Sequence, residues 1–492
     1  MDETKRFARN VTSLTAANVL SQIVQAVISI LVINHLGEVR YGAFKTAMAF
    51  ATVFLIFGET GVGARFLYDR SGDKSSIGEH FGAALLLRLG PYLLVFSVTM
   101  TAAVLFRYPP LIVRLIAIVS VAAIFRILAE TCDKVITVYQ HLHISAALRV
   151  LRFLSVAVGG VLVVTLDWGP TAWALVTLVA MSVYAVAAFS VSLRYARPKF
   201  VWSLVWPTLG ASYIFGLGAI FYAVYENVDQ VMLSKMMPVE LRQSTVGIYG
   251  SAYLLMMFTY TLPASFVASM EPVVFSARGD RPRLRDLGLF SVRMLGALAL
   301  PLAAGTILFR REIRALVLPS IDETAAAALG VLALFGLLRF FNFPGGMLMA
   351  AAGMQKRRVK IQGAATVLNI AANLLLIPPY GLFGAAWATV GTELFIFTCY
   401  GFSLARELPG YGRFLRMGKP LAATAVMAGF AALCRRGLLA WAGPGRFAWL
   451  AVVPLAVVLY FLLVRAMDFF NEDEKIFIRR LTARLAFWRG SQ

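Results

Sequence analysis

Long apolar runs separated by short polar turns dominate this chain. A membrane-crossing helix needs about 20 mostly apolar residues. Fourteen runs meet that length, at residues 11–34, 42–63, 80–105, 111–138, 145–166, 171–193, 209–234, 246–272, 286–308, 323–350, 360–378, 384–404, 418–434 and 446–466. Runs this long predict helices, because a β-barrel would show short alternating strands instead.

The polar positions inside these runs repeat. Arg126 and Arg339 each lie mid-run and are 213 residues apart. Gly169 and Gly381 are 212 apart, and Trp173 and Trp387 are 214 apart. A second set, Arg88 with Arg293 and Gly42 with Gly247, is offset by 205. Offsets that hold across several landmarks predict a duplicated unit. The expected fold is an all-α polytopic membrane protein of about 14 transmembrane helices. Two pseudo-symmetric six-helix halves, 1–200 and 201–410, would surround a central cavity. Two additional helices occupy 411–470. Residues 471–492 pair an apolar face (Phe477, Leu481, Leu485, Trp488) with arginines and predict a cytoplasmic amphipathic helix on the membrane surface.

An arginine at the centre of a membrane helix costs roughly 2.5–3.5 kcal/mol on insertion scales. Arg126 has an acid one turn away, Glu130, whereas Arg339 has none within a turn. The two arginines are therefore candidates for a shared polar cavity, with local ion pairing as the plainer alternative. Arg88 and Arg293 lie nearer the helix ends, where snorkelling is an equal alternative. In the first run Thr15, Asn18, Gln22, Gln25 and Ser29 share one helix face, and in the eleventh Gln362, Thr366, Asn369 and Asn373 do the same. Either stripe could face a wet lumen or bond to neighbouring helices. Arg149 and Arg152 could line a vestibule or hold lipid phosphate. Glu226 and Asp229, beside Tyr222 and Tyr225, could form an ion site or sit in an aromatic belt. Glu393 has no basic residue within a turn, and desolvation would keep such a lone carboxylate protonated. Glu393, Glu226, Asp229 and Glu130 are the candidates for ion coupling.

Composition narrows the classes. The chain is 60% hydrophobic and 14% charged, with a mean hydropathy of +0.76. Soluble proteins are typically about 45–50% apolar and about 25% charged. Counting charges near the run ends with the adjoining segments, 30 of the 46 Lys and Arg residues fall on the side that holds both termini, 10 on the other and 6 within the runs. That bias predicts cytoplasmic termini. The net charge of +21 is then a topology signal and a match to anionic lipid headgroups, not a nucleic-acid footprint. The first run, behind Lys5, Arg6 and Arg9, is too long for a signal-peptide core and reads as a retained helix. Cys132, Cys399 and Cys434 have no paired spacing, so neither a disulfide framework nor a metal site is expected. A Walker A loop, HExxH, paired CxxC and Gly-x-Ser-x-Gly are missing, so neither a cofactor nor enzymatic chemistry is expected. Short outer loops, the longest near 310–322, argue against a membrane glycosyltransferase.

Several stretches carry a family resemblance. They are Leu36-Gly37…Tyr41-Gly42, Glu59-Thr60-Gly61, Asp229…Val246-Gly247-Ile248-Tyr249…Ala252-Tyr253, and Asn369-Ile370…Asn373-Leu374-Leu375-Leu376-Ile377-Pro378…Tyr380-Gly381…Gly384-Ala385-Ala386-Trp387-Ala388-Thr389. Their order and spacing resemble the oligosaccharide-lipid flippases (Wzx-type polysaccharide transporters) of the multidrug/oligosaccharidyl-lipid/polysaccharide exporter superfamily. The resemblance implies alternating-access flipping of a polyprenyl-pyrophosphate-linked oligosaccharide across a bacterial or archaeal cytoplasmic membrane. It also implies membrane lipids and polysaccharide polymerase or export components as partners. Candidate substrate-binding residues are Arg126, Arg339, Asn18, Gln22, Gln25, Asn369, Arg88 and Arg293. A lipid II flippase and a cation-coupled drug antiporter of the same superfamily are the alternatives.

Overall fold

A computed structural model describes residues 3–62, 76–139, 141–415, 417–442, 449–470, 472 and 474. Side chains at 3–23, 211, 213–215, 414, 415 and 438–442 are outside that description. The described residues form fifteen α-helices: α1 Glu3–Leu55, α2 Ile77–Leu105, α3 Pro110–Val138, α4 Leu142–Thr165, α5 Pro170–Ser192, α6 Val205–Met236, α7 Arg242–Thr259, α8 Thr261–Ser276, α9 Arg281–Leu308, α10 Arg310–Val317, α11 Thr324–Ala351, α12 Gln355–Tyr380, α13 Leu382–Glu407, α14 Gly418–Ala442 and α15 Trp449–Ala466. The amphipathic helix expected at 471–492 lies outside the described residues, save Glu472 and Glu474.

Twelve helices are long and apolar enough to cross a membrane by length and composition. Thirteen of the fourteen apolar runs fall on these twelve helices, differently divided. The first two runs join in α1, whose only non-helical residue is Gly37 (φ 69°, ψ 176°). That positive φ suits glycine alone, so one residue bends the chain where a turn over 35–42 was expected. The seventh run folds as α6 and is not among the twelve. Within the long connection near 310–322, Arg310–Val317 form the short helix α10.

Local chemistry sets the helix starts. Pro110 and Pro170 open α3 and α5, where a missing N–H costs nothing. Asp280 caps α9 by accepting from the Arg283 amide at 3.0 Å. Unpaired apolar surface remains on the spans: Leu94 is 71% exposed and Leu375 74%. Lipid tails are the solvent for such residues.

The contacts divide the chain into two compact units. One comprises Met1–Ser251, Leu318–Asp322 and Val359–Ala388; the other comprises Ala252–Val317, Glu323–Arg358 and Thr389–Gln492. These are units of packing and differ from the halves defined by the sequence repeat. The first has a core of α2, α3 and α5, with Phe81, Leu85, Cys132, Ile136 and Tyr184 buried together. The second packs α14 and α15 on α9, where the Tyr460 hydroxyl donates to the Ala297 carbonyl at 2.7 Å.

The glycine pair of the 205-residue offset meets inside the first unit. A Cβ on Gly42 would lie 1.7 Å from the Gln243 carbonyl oxygen, and one on Gly247 would lie 1.9 Å from the Glu38 carbonyl oxygen. Gln243 follows Glu38 by the same 205 residues. The contact is thus reciprocal, as in a pair related by a two-fold axis. Gly42→Ala and Gly247→Ala should each force α1 and α7 apart, at about 1–3 kcal/mol as for other overpacked sites. Thermal unfolding in detergent would register matching losses. An unchanged midpoint in either variant would show that the backbones do not need this approach.

Candidate functional site

The first unit gathers charges from four elements. Arg88 on α2 is buried. It reaches Glu59 at 3.2 Å, the Thr131 hydroxyl at 3.1 Å and Glu130 at 3.6 Å. Arg126 and Glu130 lie one turn apart on α3 and pair at 3.0 Å. One step further along this face, Asp133 pairs with Arg149 of α4 at 3.1 Å. Beside them opens a cavity of about 370 Å³ lined by Glu130, Asp133, Lys134, Arg149, Arg152, Phe153 and Tyr184. The Arg152 guanidinium lies over the rings of Phe153 (4.5 Å) and Tyr184 (5.6 Å). Among the described residues neither Lys134 nor Arg152 has a carboxylate within ion-pair distance.

The second unit holds Arg339 in a different setting. Its guanidinium meets Glu393 of α13 at 2.8 Å, and the two side chains are 7% and 0% exposed. Asn342, one turn beyond Arg339, donates to the Glu393 carbonyl at 3.0 Å and to its carboxylate. The rings of Tyr260, Phe335 and Phe343 surround the cation at 5.4–5.8 Å. Two sequence expectations are corrected here. Arg339 does have an acid partner, and Glu393 is not a lone carboxylate. The partner sits 54 residues away on another helix, out of reach of a search along one helix.

Asp229 and Glu226 are buried on α6. Asp229 accepts hydrogen bonds from the Tyr249 hydroxyl and from the Gln230 amide (2.7 Å). The stem of Lys45 packs over Gly250 nearby. Asn369 and Asn373 on α12 are fully buried and bonded to each other at 3.0 Å, while Thr366 donates to the Phe221 carbonyl of α6 at 3.1 Å. Thr366 thus ties α12 to α6, while the Asn369–Asn373 bond runs along one turn of α12. In the first stripe Gln25 is exposed, and the Asn18 and Gln22 side chains lie outside the described residues.

Arg293 does not share the surroundings of Arg88. It pairs with Glu474 at 2.9 Å, donates to the Phe469 carbonyl and lies 4.6 Å from the Phe469 ring. The segment after α15 thus supplies its acid. Glu474→Leu should leave this arginine poorly compensated and loosen the segment, at about 1–3 kcal/mol for a charged hydrogen-bond partner. Protease sensitivity beyond residue 466 would report it; unaltered cleavage would mean the pair does not hold the segment.

The structure therefore groups Arg88, Arg126 and Glu130, pairs Arg339 with Glu393, and sets Asp229 with Glu226, Arg293 and Asn369 in separate surroundings. It also brings in Asp133, Lys134 and Asn342, which the sequence alone does not single out. Their signal was the continuation of each arginine's helix face by steps of 3 and 4. Among the described residues no group of three His, Cys, Asp or Glu side chains could hold a metal ion.

Comparison with known proteins places the fold. Residues 7–277 match the family described as "Polysaccharide biosynthesis protein". The chain is 24% identical over 396 residues to a probable low-salt glycan biosynthesis flippase, Agl15, of Haloferax volcanii, covering 78% of this chain and 80% of that one. It is 31% identical over 153 residues to a probable flippase, AglR, of the same organism, a match spanning 30% of this chain and only 32% of AglR. Among solved structures, the lipid II flippase MurJ in an inward closed conformation aligns with a TM-score of 0.74 at 14% identity, over 93% of this chain and all of MurJ. An inward-facing multidrug resistance MATE family transporter of the MOP superfamily aligns at 0.61 and 15% identity, over 81% of this chain and 96% of that one. With the multi-span helical fold and the matched half of its length, the chain belongs to the polysaccharide biosynthesis protein family, among the Wzx-type polysaccharide flippases of the MOP superfamily.

Proposed function

We propose that this protein moves a polyprenyl-pyrophosphate-linked oligosaccharide from the cytoplasmic to the outer leaflet of a cytoplasmic membrane by alternating access. Both termini lie on the cytoplasmic side in this reading, as the Lys and Arg bias requires. The observation that carries it is the surplus of cations among membrane-spanning helices of the first unit. Among the described residues, Arg88, Arg126, Lys134, Arg149 and Arg152 face only Glu59, Glu130 and Asp133. Charges kept inside a membrane against their insertion cost mark a path for ligands or ions. A cationic surplus suits a phosphate-bearing lipid and repels cationic drugs.

The two mid-helix arginines then have different roles. Arg126 holds Glu130 and so leaves the neighbouring cations free for an anion. Arg339 neutralises Glu393, and the pair acts as one internal unit. Asp229 and Glu226 remain the candidates for ion coupling. A lipid II flippase is the second reading, supported by the closer fit to the MurJ fold.

Reconstitution tests the proposal. Proteoliposomes containing the full chain and a polyprenyl-pyrophosphate oligosaccharide should expose the glycan on the opposite leaflet faster than protein-free vesicles do. Equal rates with this lipid, alongside acceleration with lipid II, would move the assignment to the second reading.

A further inference from the structure

The cavity's five charged positions are not matched in the second repeat, where Arg358 of α12 lies against Gly346 instead. At the 213-residue offset of Arg126 and Arg339, the counterparts of Glu130, Asp133, Lys134, Arg149 and Arg152 are Phe343, Gly346, Met347, Gln362 and Ala365. None of these is charged. The counterpart of Tyr184 is Phe397, and the pocket beside Phe397 holds only about 10 Å³, against about 370 Å³ in the first repeat. The second repeat forms its helices with uncharged residues at all five positions.

The cavity's own acids are already engaged. Glu130 is held by Arg126 and Arg88, and Asp133 by Arg149. Lys134 and Arg152 are left as surplus cations from two different helices, on the wall of one cavity. Phe153 and Tyr184 steady the Arg152 guanidinium by stacking. An ammonium and a planar guanidinium facing one space suit a phosphate group, the guanidinium as a fork and the ammonium as a point charge.

We infer that Lys134 and Arg152 form a phosphate-anion site confined to the first repeat, between α3, α4 and α5. It takes a pyrophosphate or phosphate ester, from the lipid-linked substrate or from an anionic lipid headgroup. The flippase reading enters only in naming the first of these sources.

Binding tests this without any transport step. The full chain in phosphatidylcholine nanodiscs is titrated with inorganic pyrophosphate by calorimetry. Lys134→Met and Arg152→Ala copy the residues of the second repeat. Each should weaken binding about tenfold or more, as expected for the loss of a charged hydrogen bond. Arg152→Lys, which keeps charge and bulk, should lose less and serves if Arg152→Ala does not fold. Nanodiscs containing phosphatidylglycerol separate the sources. Pyrophosphate binding that persists there assigns the site to the substrate, and binding lost there assigns it to a lipid headgroup. Undiminished binding in the folded double variant, or no binding to the wild-type chain in phosphatidylcholine, overturns the site. Because no glycan is moved, this result stands apart from success or failure of the flippase assay.

Discussion

Glu393→Ala is expected to be among the most damaging single substitutions in this chain. It removes the carboxylate that pairs with Arg339, in a setting where that arginine is almost fully buried. Breaking a buried pair from one side costs about 3–5 kcal/mol, because an uncompensated charge is left behind. Asn342 would also lose the carboxylate it donates to. Arg339→Met should cost less, since a stranded carboxylic acid can take up a proton and become neutral. The double variant Arg339→Met/Glu393→Leu should recover most of the loss of Glu393→Ala. That recovery distinguishes a mispaired charge from a simple cavity. Thermal midpoints of the four proteins in detergent measure it, and a double variant no better than Glu393→Ala would refute the ion-pair account. Arg339→Glu, which sets two carboxylates together, should fail to accumulate. Its charge-swapped partner Arg339→Glu/Glu393→Arg should be rescued in part.

The second large effect falls on Arg88. One guanidinium bridges Glu59, just past the turn Ile56–Gly58 that follows α1, Glu130 on α3 and the Thr131 hydroxyl. Arg88→Met strands Glu59 and leaves Glu130 to Arg126 alone. Glu59 and Glu130 keep some exposure, so solvent screens part of the loss, and about 2–3 kcal/mol is expected. Arg88→Lys should not restore stability, because an ammonium cannot reproduce the planar fork that reaches all three acceptors. Losing Arg88 also frees Glu130 to compete for Lys134 and Arg152. Pyrophosphate affinity should therefore fall even where the protein remains folded. A stable Arg88→Met protein with unchanged affinity would show that the acids do not need this clamp.

Helix periodicity made some of this architecture legible and hid the rest for a physical reason. An apolar run of 20 residues has one good solution in a membrane, so the spans were readable. The Arg126–Glu130 pair was readable because steps of four residues meet on one helix. Gly42 and Gly247 were visible as a spacing, although their contact was not. Arg339–Glu393 and Arg293–Glu474 were hidden, since periodicity defines a helix face and not what packs against it. The same limit explains α12, where Asn369 and Asn373 could be placed on a shared stripe but not assigned to packing. Gly37 shows the finer limit: a break of one positive-φ residue separates two spans that the sequence suggested were joined by a turn.

The most direct test of the flippase assignment follows the lipid-linked oligosaccharide in cells depleted of this protein. Membranes are probed for the leaflet in which the glycan is accessible, and the accumulating lipid is identified by mass spectrometry. The account predicts accumulation on the cytoplasmic side, reversed by the wild-type protein and not by Lys134→Met/Arg152→Ala. Normal arrival of the glycan at the outer leaflet in depleted cells would contradict it.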